Sequence, residues 1–353
     1  MLKKLYHSTY VLFSKTINKI QLISLKELML KKLVLSAAAA GSIVLSAGTV
    51  SAETIRVTLQ LPETHPLGVN LNAWKSCVEG KTNALEIQIF PSAQLYKDKQ
   101  VPEAVGSGAI EMGTASLTRF AGTVPAVDAI YVPFLLDSEE KVKRATAPGS
   151  EVRNILDGAV LKETNARILW WQAFGRTVYL SKDPIRVPAD IKDKKVRTFG
   201  KLLGWTVEAL GGAPTLMSGS KQFLAYQQGA VDAGITGLTG TKSRKLYEVM
   251  PNMTLTFDSD IEFVAIMNED FYQGLSEDKR GIIDSCGQQV EAELRNSVLQ
   301  IEAETLEFLR DKMNVIELTD AERSEWRQAT KSVVDRFIEN GGETAAAVIK
   351  AAQ

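Results

Sequence analysis

The residue with the clearest chemical potential is Arg197, in the stretch Lys194-Lys-Val-Arg-Thr-Phe-Gly200. It closes a short β-branched run and precedes a helix-like segment, so apolar residues flank it on both sides. Arginine is rarely buried without a partner. Its guanidinium offers a fork of donors that matches a carboxylate, and it stays charged at any relevant pH. The position predicts a cleft in which Arg197 meets a small anion; the alternatives are a solvated strand end and an internal salt bridge.

Histidine and cysteine usage limits the other chemistry. The chain has two histidines, and only His65 remains if the N-terminus is removed, which excludes histidine-based triads and multi-histidine metal sites. We expect no metal and no cofactor, and we expect His65-Pro66 to begin a helix. Cys77 and Cys286 are too few for a disulfide framework. A single bridge is compatible with an oxidising compartment, but we favour two separate buried thiols.

The N-terminus has the pattern of a secretory signal. Met29-Leu-Lys-Lys is followed by the apolar run Leu33–Ala47 and then by small residues up to Ala52. This pattern predicts cleavage after Ala52 and makes residues 1–28 an upstream extension. A transmembrane anchor is the weaker alternative, because the apolar run is short for a bilayer.

Processing would leave a mature chain of 301 residues. Seven basic and one acidic residue lie in 1–52, so 34 of the 41 basic and 41 of the 42 acidic residues remain, a net charge of −7. This balance argues against nucleic acid or an anionic membrane as partner. A chain of this length is near the size at which a single core divides, so we expect two domains.

Alternating and helix-spaced patterns predict an α/β fold. A strand-like run at 55–61, a helical segment from Pro66 and a second run at 85–90 form a β-α-β unit, which implies a parallel sheet. One six-residue pattern occurs twice, as Gly108-Ala-Ile-Glu-Met-Gly113 and as Gly229-Ala-Val-Asp-Ala-Gly234. Each copy follows a predicted helix and leads into a predicted strand. The sequence therefore predicts two similarly built α/β domains.

Several segments are predicted to join these domains. Residues 166–180 are apolar and aromatic and indicate a strand pair that crosses between them. A long helix is predicted from Ser276 to Met313, with apolar residues at spacings of four, four and three, and its length would let it lie across both domains. Thr319-x-x-Glu322 predicts a capping box for one more helix, whose apolar face is Trp326, Val333 and Phe337.

Longer motifs resemble a known family. The run from Pro184 to Arg197, then Leu210-Gly-Gly-Ala-Pro214, then Gln227-Gln-Gly-Ala-Val-Asp232, resembles the characteristic region of TRAP-transporter solute-binding proteins of the DctP family. Further matches in the family's order are Phe90-Pro-Ser-Ala-Gln-Leu95, Val132-Pro-Phe-Leu135 and Lys245-Leu-Tyr-Glu-Val249. The resemblance covers essentially the whole mature chain.

The resemblance implies a periplasmic binding protein with two α/β domains and a long helix that spans them. The domains would be residues 53–174 with about 264–302, and residues 175–263 with about 303–353. The family's arginine that pairs with the ligand carboxylate matches Arg197, and a second ligand-facing arginine matches Arg176. Motif order places four further residues in the cleft, although a capping or surface role is open for each: Gln60, Asp98, Ser116 and Thr236.

Three departures from the family pattern concern the ligand. Tyr96 replaces a usual glycine, Gly219 replaces a frequent aromatic residue, and Thr236 replaces a frequent asparagine. Tyr96 could line the pocket or pack elsewhere, and the same choice is open for Trp170 and Trp171. Asp258 and Asp260 could bind an ammonium or hydroxyl group if they face the cleft, or lie in a solvated loop.

The resulting functional prediction is a monomeric, non-enzymatic periplasmic protein. It would capture a small carboxylate ligand and deliver it to the small and large membrane subunits of a TRAP permease. One alternative is a sensory module that binds the same ligands, and another is a periplasmic enzyme that uses carboxylates such as Asp98 and Asp232. C4-dicarboxylates, sugar acids, keto or hydroxy acids and aromatic acids all fit the sequence as ligands.

Overall fold

The computed structural model describes residues 52–353. The upstream extension and the signal segment, residues 1–51, lie outside the described residues. In residues 52–353 no helix combines the length and apolar character needed to cross a bilayer. The strands of this part are β1 (Glu53–Thr58), β2 (Leu85–Phe90), β3 (Met112–Ser116), β4 (Ala166–Ser181), β5 (Lys195–Thr198), β6 (Ala213–Leu216), β7 (Ala233–Gly237), β8 (Asn252–Leu255), β9 (Asp260–Asn268) and β10 (Asn314–Glu317).

The α-helices of the same part surround these strands. They are α1 (Pro66–Lys81), α2 (Val101–Gly106), α3 (Glu139–Thr146), α4 (Glu151–Thr164), α5 (Lys201–Ala209), α6 (Gln222–Gln227), α7 (Leu238–Ser243), α8 (Glu269–Gly274), α9 (Glu277–Arg310), α10 (Asp320–Ala329) and α11 (Ser332–Ala352). As the sequence predicts, α1 begins at His65, whose Nδ1 accepts a hydrogen bond from the Leu67 amide at 3.1 Å.

The strands form one mixed sheet in the order β2-β1-β3-β9-β4-β7-β5-β6, with β8 and β10 attached beside β4. β1 pairs in parallel with β2 and β3, and β5 pairs in parallel with β6 and β7. β9 and β4 lie between these groups and run antiparallel to their neighbours. The predicted α/β class is confirmed, and the predicted parallel pairing holds within each half of the sheet.

One strand, β4, joins the two halves. Its first part, Ala166–Arg176, pairs with β9, and its second part, Thr177–Ser181, pairs with β7. The predicted strand pair is therefore wrong, because the segment is a single strand of 16 residues. Two register shifts let this strand bend between the halves without a turn.

The repeated glycine motifs have the same structure in both halves. Gly108 follows α2 with a φ of 75°, and Gly229 follows α6 with a φ of 68°. Both values lie in the left-handed region that glycine enters without a steric penalty, so each glycine ends a helix and turns the chain into the next strand. Those strands are β3 and β7, one in each half.

The long helix predicted over 276–313 is present as α9, which has 34 residues and spans about 51 Å at 1.5 Å per residue. It packs against α1 and the first part of β4, and it also contacts α7 in the second half. The helix therefore extends along both halves, as its length predicts.

The preference for two free thiols is wrong. Cys77 of α1 and Cys286 of α9 form a disulfide, with their Cα atoms 5.8 Å apart. The two residues are 209 positions apart in sequence. Only the packing of α1 on α9 brings them together, so spacing along the chain contains no signal for the bond.

The predicted capping box at Thr319 is confirmed, since Thr319 and Glu322 exchange hydrogen bonds at the start of α10. The apolar residues Trp326, Val333 and Phe337 are all buried, as expected. They lie on two helices rather than one, because α10 ends at Ala329 and α11 begins at Ser332.

Candidate ligand-binding site

A small cavity lies between the two halves of the sheet, next to the carboxyl ends of β1, β3, β5 and β7. Its volume is about 20 Å³, which is room for about one water molecule. A larger ligand can therefore enter only if its walls separate. The cavity is lined by Gln60, Asp98, Ser116, Phe174, Arg197, Phe199, Gly219, Thr236, Arg244, Ile261 and Phe263.

Arg197 lies in β5 and is 3 % exposed. Two backbone carbonyls orient its guanidinium: Nη1 donates to Ile235 O at 2.7 Å, and Nη2 donates to Met217 O at 2.9 Å. Nε has no hydrogen-bond partner. Within residues 52–353 the side chain forms no salt bridge, so the carbonyls fix the direction of the fork without neutralising its charge.

The electrostatic surroundings of Arg197 are unfavourable for a cation. The pKa of Arg197 is lowered to about 9, mainly because the side chain is buried. The positive charges of Arg119 and Arg244 lower this pKa as well, whereas Asp98 raises it. Arg197 is still protonated at neutral pH, so it carries a buried positive charge that an anion would stabilise.

Asp98 is buried and already has partners. Its Oδ2 forms an ion pair with Arg119 Nε at 2.5 Å, and its Oδ1 accepts a hydrogen bond from the Ser116 amide at 3.0 Å. The Ser116 hydroxyl lies 3.1 Å from the Tyr131 hydroxyl, so these two side chains form one polar wall. Both Asp98 and Ser116 border the cavity. The carboxylate of Asp98 is already paired with Arg119 there.

Gln60 and Thr236 complete the predicted set at the cavity. Gln60 follows β1 and is 5 % exposed, and its Oε1 is buried without a hydrogen-bond partner. Thr236 lies in β7 opposite Val178 of β4 and is also buried. The fold thus brings five of the six predicted residues, Gln60, Asp98, Ser116, Arg197 and Thr236, to one cavity.

Arg176 lies apart from this cavity. Its Nε pairs with Glu302 of α9 at 2.9 Å, and its guanidinium lies 3.8 Å from the Phe257 ring centroid. Phe174 lines the cavity, and regular strand alternation would turn Arg176 to the same side. A register shift next to Gly175, whose φ is 106°, breaks that alternation and points Arg176 away. Arg176, the expected second arginine, therefore does not line the cavity that contains Arg197.

Sequence reasoning missed one charged and four apolar side chains of the cavity: Arg244, Phe174, Phe199, Ile261 and Phe263. Arg244 follows α7 and is partly buried, and Phe199 follows β5 beneath the Arg197 guanidinium at 5.3 Å. Arg244 directly precedes the matched stretch Lys245–Val249. The sequence therefore shows a positively charged residue at this position but not that its side chain points into the cavity. Gly219 was noted as a departure from the family pattern, and it lies against Arg244.

The other residues that the sequence suggested as possible pocket residues pack outside the cavity. Trp170 and Trp171 are fully buried, and their indole nitrogens donate to Asn70 at 3.0 Å and Asp157 at 2.8 Å. Tyr96 packs against the hydrophobic core. Asp258 is buried behind β4 and accepts hydrogen bonds from neighbouring threonines. None of these four side chains lines the cavity next to Arg197.

Asp260 borders a second, larger cavity of about 520 Å³ beside α9. Its carboxyl group is 6 % exposed, and its Oδ1 has no hydrogen-bond partner. Burial is the main cause that raises the pKa of Asp260 to about 8, and the negative charges of Glu262 and Glu302 raise it as well. Arg295 and Arg176 act in the opposite direction. Asp260 is therefore largely protonated at neutral pH.

This protonation predicts a specific pH dependence of stability. The unfolded chain releases the Asp260 proton near pH 4, whereas the folded chain keeps it up to about pH 8. The stability that Asp260 contributes is thus complete below pH 4 and is lost as pH rises through 8. We therefore compare the Tm of Asp260→Asn with the Tm of the native chain at each pH. The difference, variant minus native, should be roughly 3–8 °C larger at pH 9 than at pH 4.

Melting curves between pH 4 and 9 measure this difference. The exposed Asp183→Asn variant is the control, because Asp183 only pairs with Lys194 at the surface. A Tm difference between Asp260→Asn and the native chain that does not change with pH would contradict the assignment.

The architecture defines the class of protein. Two α/β halves are joined by crossing segments and a long helix, with a charged cavity between the carboxyl ends of their strands, and this is the arrangement of a two-domain periplasmic binding protein. A family model for bacterial extracellular solute-binding proteins, family 7 (DctP), matches residues 58–340. The chain therefore belongs to this family, and the resemblance seen in its motifs is confirmed.

Individual relatives agree with this membership. The C4-dicarboxylate-binding periplasmic protein DctP of Rhodobacter capsulatus is 27 % identical over 297 residues, covering 82 % of this chain and 88 % of the relative. The ectoine-binding periplasmic protein TeaA of Halomonas elongata is 24 % identical over 275 residues, covering 77 % and 80 %. A TRAP periplasmic solute-binding protein of Shewanella oneidensis, solved with bound succinate, has a TM-score of 0.80 at 22 % identity and covers 86 % of this chain and 100 % of that one.

Proposed function

We propose that this protein captures a small organic acid and that Arg197 pairs with the ligand's carboxylate. The observation that carries the proposal is the buried guanidinium of Arg197, which two carbonyls aim without neutralising it. Charge-assisted hydrogen bonds of this kind contribute about 1.5–3 kcal/mol each. The names of two relatives, which refer to C4-dicarboxylate and to ectoine, and the succinate bound to a third support a small polar ligand.

Capture would require the two halves to move apart and close again. The cavity of about 20 Å³ is too small for an organic acid, so the described conformation is a closed one. We place the hinge in β4 between Arg176 and Thr177, where its pairing changes from β9 to β7. The predicted boundaries give one lobe of residues 53–174 with about 264–302 and another of 175–263 with the segment after 303. Two elements depart from this division: all of β9 pairs with the first part of β4, and α11 packs on the first lobe through Pro125–Tyr131.

The protein would bind its ligand without transforming it. The two carboxylates that the enzyme alternative would use already have structural roles, since Asp98 is paired with Arg119 and Asp232 accepts a hydrogen bond from the Lys195 amide. We infer that the protein works as a monomer in the periplasm and delivers its ligand to the small and large membrane subunits of a TRAP permease. A sensory role would use the same cleft, and uptake into vesicles that depends on this protein separates the two.

A thermal-shift screen of residues 53–353 against small acids tests the proposal. An acid present at 100 times its Kd adds about 2.7 kcal/mol to the free energy of unfolding, which raises Tm by several degrees. We expect at least one carboxylate to produce this shift and to be recovered chemically unchanged. Binding confined to uncharged compounds, or turnover of the bound acid, would contradict the proposal.

A further inference from the structure

Gly219 allows a second arginine to reach the cavity. A Cβ atom at this position would lie 2.5 Å from Arg244 Nη2 and 3.2 Å from Gln60 Oε1. A Cβ atom essentially never lies this close to another heavy atom, so any side chain at position 219 would require the end of the Arg244 side chain to shift. The observed position of Arg244 at the cavity therefore requires a residue without a side chain at position 219.

Arg244 resembles Arg197 in having no acidic partner among the described residues. Its one side-chain hydrogen bond is a long one, 3.4 Å from Nη1 to Gln222 Oε1. Burial is the main cause that lowers the pKa of Arg244 to about 10, so the group remains a cation at neutral pH. The same charge also helps to lower the pKa of His65, whose buried ring stays neutral.

The charges at the cavity do not balance. Arg119 and Asp98 form an ion pair and cancel. Arg197 and Arg244 both line the cavity, and neither forms a salt bridge with a carboxylate of residues 52–353, although the charge of Asp98 raises the pKa of both. Two positive charges without a salt bridge thus remain at a cavity with room for about one water molecule, and burying either of them further without an anion is costly.

We infer that Arg244 is a second anion-binding residue and that the ligand carries two negative groups, one at Arg197 and one at Arg244. The inference rests on the proposed function and narrows its ligand class to dianions. A monoanion would leave one of the two cations without a partner, and the positive group of a zwitterion would face one of the two arginines. Arg244 thereby takes the role of second arginine that the sequence assigned to Arg176.

Calorimetric titration with matched ligands tests this inference. The probes are the straight-chain dicarboxylates from malonate to adipate, each with its monoamide, which keeps the shape and removes one charge. We expect the native chain to bind at least one dicarboxylate about 30-fold or more tightly than its monoamide. Arg244→Gln should weaken that dicarboxylate by about 10- to 100-fold and change monoamide binding by less than about 3-fold.

Gly219→Ala provides a second variant that leaves every charge in place. The added methyl should shift the Arg244 guanidinium and weaken dicarboxylate binding, and this variant keeps the test valid if Arg244→Gln does not fold. Arg336→Gln is the control, because Arg336 pairs with Glu208 at the exposed surface. This control should bind both kinds of ligand as the native chain does.

Three results would overturn the inference: binding of none of the dicarboxylates, equal affinity for a dicarboxylate and its monoamide, or unchanged dicarboxylate binding by both variants. The proposed function fails separately. If Arg197→Gln retains affinity, the carboxylate site itself is misassigned, whereas monoacids that bind through Arg197 without any dicarboxylate binding would remove only the role of Arg244.

Discussion

Replacing Arg197 by glutamine should weaken carboxylate binding by about 100- to 1,000-fold. The native guanidinium can give a carboxylate two charge-assisted hydrogen bonds, each of about 1.5–3 kcal/mol, and a loss of about 3–4 kcal/mol corresponds to this factor. Glutamine keeps one donor near the carbonyls of Ile235 and Met217 but has neither the charge nor the fork. Titration with the best acid of the screen measures the change.

The fold should survive this substitution. Arg197 is a buried cation without a salt bridge in the described residues, so its removal takes away a desolvation cost as well as two hydrogen bonds. We expect the ligand-free Tm to change by only a few degrees. Arg197→Lys keeps the charge without the planar fork and should bind with intermediate affinity. Undiminished binding by Arg197→Gln would show that this group does not hold the ligand.

Removing the disulfide should destabilise the protein by about 2–5 kcal/mol. The bond joins Cys77 and Cys286 across 209 residues of sequence, and a cross-link that closes a long loop restricts the unfolded chain more than a short one. Because it fastens α1 to α9, the double variant Cys77→Ser with Cys286→Ser should melt roughly 5–15 °C below the oxidised native chain.

Ligand binding should change little in the same variant. Neither cysteine lies at the cavity, and α1 and α9 retain their buried contacts around Trp74 and Ile283. Reducing agent should lower the Tm of the native chain towards that of the double serine variant and leave the variant itself unaffected. Equal Tm values for the oxidised native chain and the double variant would contradict a stabilising role.

The sequence pointed to Arg197, and the family resemblance added Ser116 and Thr236 by motif order. The structure brings these three residues to a common cavity because each lies at or near the carboxyl end of a strand, and in an α/β sheet the carboxyl ends of parallel strands meet at one edge. Arg176 does not reach this cavity, because a bulge reverses its side-chain direction. A bulge depends on the pairing of β4 with β9, which a one-dimensional pattern does not contain.

The sequence by itself determined the features that depend on neighbouring residues. The start of α1 at His65, the capping box at Thr319 and the left-handed glycines that open β3 and β7 follow from local backbone and hydrogen-bond preferences. Only the tertiary structure decided the pairing of Cys77 with Cys286 and the approach of Arg244 to Gly219. These contacts join distant parts of the chain, and packing of whole helices and strands creates them after the local preferences have been satisfied.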